Sequence, residues 1–142
     1  MRHTLMQFIA GTALLVFGAT IGMAQDRDHD RDWYQSRDTF FHDQHWRGRL
    51  FERVREDLDR VQTTTFHEGD SFRIDRTKQE LNELQSKLAA GRYDQPELDE
   101  VIAALTRVVD SNRLTARDRD VLNDDLNRMK DYREHHENWE HR

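Results

Sequence analysis

The residues best suited to chemistry in this chain are histidines, and they are concentrated near the C-terminus. The last twelve residues, DYREHHENWEHR, contain three histidines and three glutamates. Neutral imidazoles and carboxylates are common metal ligands, and histidine also titrates close to neutral pH. His42 and His45 are three residues apart and would share one face of a helix. These two residues could add further imidazoles to the C-terminal group.

We therefore predict a candidate metal site built from five histidines, His42, His45, His135, His136 and His141. Zinc, copper(II) and nickel are the ions that suit imidazole ligands. The alternative is a set of ordinary surface histidines at helix ends, where the helix dipole favours a positive imidazolium. The stretch that starts at His136 is not a zinc-protease H-E-x-x-H motif, because Glu140 stands where the second histidine is required.

The patterns of other catalytic sites are missing from the sequence. The serines after residue 24 lie in no nucleophile elbow and in no supported S-x-x-K frame. There is no glycine-rich phosphate loop. The absence of cysteine excludes thiol catalysis, thiolate zinc sites and disulfides. We expect a protein that is not an enzyme and that holds no cofactor besides the candidate metal.

The N-terminus predicts export. Arg2 precedes an apolar run that ends with the small residues Gly22 and Ala24. This order is typical of a secretory signal peptide, so we expect residues 1–24 to be removed after Ala24. The alternative is a retained anchor, because the run approaches the roughly 20 residues that a membrane span needs. Cleavage would place the protein in the periplasm or outside the cell, without stable membrane insertion.

The composition of the remaining chain limits its partners. Arg2 is the only charged residue in the signal segment, so residues 25–142 carry 21 basic and 28 acidic side chains, a net charge of −7. This balance argues against nucleic acid as a partner. A charged fraction of 35% with a single proline favours solvated helices over a β-sandwich.

The spacing of apolar residues predicts four helices after a disordered, charged arm at residues 25–38. The helices should cover about 39–65, 71–90, 96–111 and 115–141, within one helical bundle domain at 39–142. Each has an apolar stripe, and the second has the spacing of a heptad seam. Because the loops are short, we expect an all-α, antiparallel four-helix bundle with up-down-up-down topology.

The relative lengths of these helices predict where the histidines lie. The first and last helices are the longest, and in this topology the start of one and the end of the other share a pole. Both should project past the shorter helices. This extension would bring the five candidate histidines together at one end of the bundle.

The last helix opens with the frame LTARD at residues 114–118. In a small exported helical protein this frame resembles the L-T-x-x-Q motif of the periplasmic Spy/CpxP-like stress proteins, with Asp118 in place of the glutamine. The resemblance implies envelope-stress, chaperone-like or metal-responsive binding. It carries over only Leu114 and Thr115, and Thr115 with Asp118 also fits a helix N-cap.

We therefore expect a non-enzymatic exported interaction protein whose partner is a protein surface or a second copy of the chain, as in a dimer. A divalent-metal binder or sensor at the shared pole is the alternative from a different functional class. A purely structural oligomer is the third.

Overall fold

A computed structural model of the chain describes the backbone of residues 22–43 and 45–139 and the side chains of residues 31–43 and 45–137. Within these ranges the protein is all-helical. The helices are α1 (Gly22–His42), a 3-10 turn (Trp46–Arg49), α2 (Leu50–Thr63), α3 (Glu68–Ala89), α4 (Gln95–Ser111) and α5 (Ala116–Trp139). Most of the predicted signal peptide, residues 1–21, and the candidate ligand His141 lie outside the described residues.

The chain divides into two compact units at Phe40 and Phe41. In the first unit, α1 runs through residues 25–38, where we expected a disordered arm. No proline follows Gly22 in this stretch and the next glycine is Gly48, so the backbone chemistry does not interrupt a helix. The apolar period that signals a packed helix is missing there. The predicted cleavage point after Ala24 falls inside α1, and cleavage stays a prediction.

The prediction of one continuous helix over residues 39–65 was wrong, because the helix is interrupted at Asp43. An Asp43 side-chain oxygen accepts a hydrogen bond from the backbone N–H of His45 at 2.9 Å. This local bond gives the backbone an alternative to the helical ladder. A 3-10 turn follows, and α2 begins only at Leu50. The long helical extension that was to carry His42 and His45 past the other helices is therefore not formed.

The second unit has one core, built from the predicted apolar stripes. Every helix from α2 to α5 buries its stripe, and several leucines are fully buried, among them Leu50, Leu58, Leu81, Leu98, Leu105 and Leu122. α2 packs against α3 and α5, and α4 packs against the same two helices. Each of the four helices therefore has two neighbours, as expected when each buries a wide apolar face.

Residues at the helix ends explain most of the observed boundaries. Gly91 has a φ of 71° after α3, and the N–H groups of Gly91 and Arg92 bond to the carbonyls of Leu88 and Lys87. This is a Schellman ending, which favours glycine at the left-handed position. Asp94 caps α4 by accepting a 3.1 Å hydrogen bond from the N–H of Glu97. These ends agree with the sequence to within a residue or two.

The start of α3 differs from the prediction. We placed a break at Gly69 and the helix start at residue 71, but α3 begins at Glu68. The N–H groups of Asp70 and Ser71 both bond to the carbonyl of His67 at 3.0 Å, so Gly69 lies in the first helical turn.

Thr115 and Leu114 have structural roles that suffice to explain the LTARD frame. The Thr115 hydroxyl accepts a 3.1 Å hydrogen bond from the Asp118 N–H and donates one of 2.8 Å to the Asp118 carboxylate. This is the predicted N-cap of α5. Leu114 is partly buried and packs on the core. Separately, no helix in the described part of the chain is long and apolar enough to cross a membrane.

Candidate protein-interaction surface

The four candidate histidines that the structure describes are in three different settings. His42 is exposed in the last turn of α1. His45 and His135 are also exposed, and each points its Nδ1 at a nearby aspartate, Asp43 at 3.2 Å and Asp131 at 3.0 Å. Both contacts are local in sequence. They therefore do not link residues 41–46, which we call the hinge, to α5.

His136 lies among aromatic side chains. Its ring stacks on Tyr93 with centroids 3.6 Å apart and planes inclined by 16°, and Tyr132 lies 5.9 Å away. Tyr132 in turn packs edge-on against Phe51 at 5.0 Å. Burial raises the pKa of Tyr93, with a smaller contribution from the negative charge of Asp99. This packing explains His136 as part of the interface between α5 and the α3–α4 loop.

The structure does not bring the four described candidate histidines, His42, His45, His135 and His136, together into a metal site. Among the described residues, no three histidine, aspartate or glutamate side chains converge closely enough to hold a metal ion. A metal site that uses His141 stays a prediction, because that residue lies outside the described chain.

The aromatic residues Phe41 and Trp46 contact α5 through Arg128. Phe41 and Trp46 pack edge-on, with ring centroids 5.4 Å apart. The Arg128 guanidinium lies 3.7 Å from the Phe41 ring centre and 4.8 Å from that of Trp46. Arg128 is held from the other side by Asp124 at 2.9 Å. These cation–π contacts fasten the hinge to α5.

The described part of the chain has an open groove between α3 and α4, with a volume of about 510 Å³. Six of its lining residues follow one outer face of α3 and one comes from α4. They are Phe72, Asp75, Arg76, Gln79, Glu80, Glu83 and Glu100, and we call this surface the α3–α4 groove. Four carboxylates and one guanidinium give it a formal charge of −3.

Phe72 is the apolar feature of the groove. It is 67% exposed, although large aromatic side chains are usually well buried. Phe66, in the α2–α3 loop, is 92% exposed but does not line the groove. An exposed aromatic side chain beside polar groups is a common anchor in protein interfaces, because its burial gains much contact area at a small entropy cost.

Polar contacts inside the groove neutralise only part of its charge. Arg76 Nε donates to Glu80 at 3.1 Å. Asp75 accepts from the side-chain amide of Gln62 at 2.7 Å, and Glu83 accepts from that of Gln79 at 3.3 Å. Neutral amides orient a carboxylate but leave its charge. Most of the negative charge of the groove is therefore available to a partner.

Two polar clamps hold α3 against α4 at opposite ends of the groove. At the start of α3, Asp70 accepts hydrogen bonds from the Arg73 guanidinium and, at 3.1 Å, from the backbone N–H of Arg113. The Asn112 amide donates to the Asp70 carbonyl at 3.0 Å and accepts from Arg73 at 2.6 Å. The backbone N–H of Arg113 and the positive charge of Arg73 lower the pKa of Asp70 against the opposing effect of its burial.

At the other end, Lys87 near the end of α3 binds two carboxylates at the start of α4. Its ammonium lies 2.8 Å from Asp94 and also contacts Glu97. The hydrogen bonds to Asp94 and then Glu97 raise the pKa of Lys87 to about 12. Lys87 likewise lowers the pKa of Asp94, together with the N–H of Glu97. The groove is therefore a surface with both ends fixed.

A second, smaller hollow of about 310 Å³ lies between the start of α2 and the end of α3. Its floor includes Phe51 and Leu88, and its rim includes Arg49, Glu52 and Gln85. Phe51 is already 93% buried by the core, at 7% exposure. The hollow therefore offers little apolar surface to a ligand.

The α3–α4 groove was not predicted from the sequence. Phe72 lies off the seam that Ile74 and Leu81 define on α3, and an apolar residue off the buried stripe was the available signal. The clamp residues Asp70 and Lys87 gave no such signal, because their partners are distant in the sequence or belong to the next helix. No protein-family model, curated protein or solved structure matches this chain.

Proposed function

We propose that this protein is a non-enzymatic, exported interaction protein that binds other polypeptides in the α3–α4 groove. In this proposal, α2 to α5 form the antiparallel four-helix bundle expected from the short loops, and the groove is its binding face. The observation that carries the proposal is Phe72, a large aromatic side chain left 67% exposed in a groove with fixed ends.

The surrounding chemistry supports recognition of a polypeptide. A peptide segment offers both backbone and side-chain donors, and the groove offers carboxylate acceptors beside an aromatic ring. A rigid receptor loses little conformational entropy on binding, which favours affinity. The resemblance of the LTARD frame to Spy/CpxP-like stress proteins fits the same general role, and we extend the proposal to chaperone-like binding under envelope stress.

Fluorescence anisotropy with labelled peptides tests this function. Three peptides would share one central leucine and differ in having basic, neutral or acidic flanks. We expect at least one of them to bind the full-length protein, and we expect Phe72→Ser to weaken that binding about tenfold or more, as the loss of an aromatic anchor does. Phe66→Ser is the matched control, because it removes an even more exposed phenylalanine that lies outside the groove. Failure of all three peptides to bind would refute the proposal.

Divalent-metal binding is the second candidate function, and one observation favours it. In His45 and His135, an aspartate lies beside Nδ1, which leaves Nε2 facing away as a ligand atom. In this alternative, zinc, copper or nickel would bind these Nε2 atoms together with other candidate histidines. Thermal unfolding with EDTA and then with each metal tests this, and His45→Ala or His135→Ala should remove any stabilisation by the ion.

Self-association is the third candidate. Analytical ultracentrifugation of the exported protein would measure it directly. A stable dimer should bury roughly 1,600 Å² in total.

A further inference from the structure

Building on the proposed function, we infer that the α3–α4 groove selects positively charged polypeptide segments. The preferred segment carries a large apolar side chain, which packs on Phe72, and lysine or arginine about four or five residues further along. The inference depends on the groove being the binding site and adds what that site discriminates.

The charges of the groove determine which sign of charge a partner should carry. Its one cation, Arg76, is already paired with Glu80. Among the described residues, no cationic side chain pairs with Asp75, Glu83 or Glu100. An acidic or phosphorylated partner would meet like charges here, whereas lysine or arginine would complete the ion pairs.

Glu80 is the innermost of these carboxylates. Its side chain is only 14% exposed, and its Oε1 accepts from Arg76. Its Oε2 is shielded from solvent and has no hydrogen-bond partner among the described residues. Because Oε2 is shielded, Glu80 would act on a cationic side chain in the groove through its negative charge and not through a new hydrogen bond.

The acids are too dispersed to favour a metal ion as the occupant. A metal site needs three or more ligands around one point, and no such group occurs among the described residues. Glu83 and Glu100 belong to different helices and the other acids are spread along α3. Spread charge beside an aromatic ring suits an extended segment with several separate contacts.

The spacing along α3 sets the register of this segment. Glu80 is eight residues and Glu83 eleven residues beyond Phe72, which corresponds to about 12 Å and about 16 Å along a helix. An extended chain advances about 3.3 Å per residue, so these distances equal about four and five residues. A leucine followed after such an interval by two lysines would contact both ends of the groove.

The experiment uses the full-length protein and the three labelled peptides described above, with the charged residues placed about four residues after the leucine. We expect the basic peptide to bind at least tenfold more tightly than the acidic one at low ionic strength. Raising the salt from about 50 mM to about 300 mM should reduce this preference, because the carboxylates are exposed and screened.

Substitutions in the groove separate charge from anchoring. Glu83→Gln with Glu100→Gln should weaken the basic peptide about five- to tenfold while leaving the neutral peptide unchanged. Glu83→Lys with Glu100→Lys should reverse the preference in favour of the acidic peptide. Asp110→Asn with Asp120→Asn is the matched control, since it removes two exposed acids outside the groove. All these positions are exposed, and circular dichroism would confirm that each variant is folded.

Three results would overturn the inference. One is equal binding of the basic, neutral and acidic peptides, with all three lost in Phe72→Ser. That result would leave the proposed function intact and remove only its charge selectivity. Another is loss of basic-peptide binding in the Asp110/Asp120 control. The third is a dimer of the protein alone that Phe72→Ser dissociates, which would make a second copy the occupant.

Discussion

At the scale of single residues, the most informative side chains are polar ones that join separate helices. Asp70 is 94% buried, at 6% exposure, yet it remains a carboxylate with good partners. Its two side-chain oxygens face Arg73 and the backbone of Arg113, and both contacts favour the charged form. Asp70 therefore fixes the start of α3 to the loop that follows α4.

Replacing Asp70 with alanine should lower the free energy of unfolding by about 2 kcal/mol, because two hydrogen bonds to a charged group are lost. Urea denaturation followed by circular dichroism would measure the change. Asp110→Ala, on the exposed surface of α4, is the control and should change stability by less than about 0.5 kcal/mol. An equal effect of the two substitutions would contradict the role given to Asp70.

The Asp70 carboxylate also makes the stability of the protein depend on pH in the acidic range. The pKa of Asp70 is lowered from its ordinary value of 3.8, so the folded state binds its proton less readily than the unfolded chain does. Its contribution to stability is present above pH 3.8 and is lost as the pH falls through the folded-state pKa. The stability difference between the wild type and Asp70→Ala should therefore shrink in this acidic range.

The raised pKa of Lys87 predicts that the stability of the protein falls as the pH rises in the alkaline range. Its pKa is raised from 10.5 to about 12, so the clamp contributes fully below pH 10.5 and is lost as the pH rises towards 12. The melting temperature of the wild type should exceed that of Lys87→Met at neutral pH, and the difference should vanish in that window. Lys130→Met, at an exposed position, is the control and should change the melting temperature little at neutral pH. A difference that persists at pH 12 would contradict the ion-pair account.

Phe72 shows how far sequence reasoning reaches at the residue scale. The helical spacing of apolar residues indicates which side chains the core buries, and Ile74 and Leu81 on α3 follow that spacing. A single exposed aromatic off that stripe has no period, so only the folded surface shows the acids around it. The predicted histidine site stays a prediction, although the continuous helix on which we based it is interrupted at Asp43.

At the scale of elements, local chemistry decides where the helices begin and end. The cap at Thr115 was predicted from the sequence, and like it the cap at Asp94 and the glycine at position 91 act on neighbouring residues. The side-chain bond of Asp43 to His45 acts just as locally, but the apolar stripe through Trp46 masked it. α1 was not predicted, because its charged sequence carries no apolar stripe.

Glycine substitutions test these boundaries. Gly91→Ala should destabilise the protein by about 1 kcal/mol, because its φ of 71° is strained for any residue with a Cβ. Gly48→Ala is the matched control, since a Cβ at that position meets no atom within 4 Å and its φ is not positive. Thermal unfolding should show a fall for Gly91→Ala alone. A loss of equal size at both positions would contradict the Schellman ending.

At the scale of the whole molecule, the second unit combines a continuous apolar core with a strongly polar exterior. The core was predicted from the sequence, because four apolar stripes of suitable length are removed from water when the helices pack together. It could not predict which outer face would remain available. That face is defined by the two clamps, which bond α3 to the chain on either side of α4 and leave the groove between them.

This arrangement links the fold to the proposed function. Phe72 and the groove acids lie on helices whose own stripes are buried, so binding a partner need not disturb the core. The chain carries a formal net charge of −6, which would also speed the approach of a cationic segment. We propose that the protein is exported and acts under envelope stress. A partner with that chemistry must then reach the same compartment.

The central claim is that the α3–α4 groove binds polypeptide, and nuclear magnetic resonance tests it most directly. The basic leucine-containing peptide would be titrated into the ¹⁵N-labelled full-length protein, and the shifts of the backbone amides would be followed. The account predicts saturable shifts concentrated around Phe72, Gln79, Glu83 and Glu100. Shifts confined to the hinge at residues 41–46, or none at a saturating peptide concentration, would contradict it.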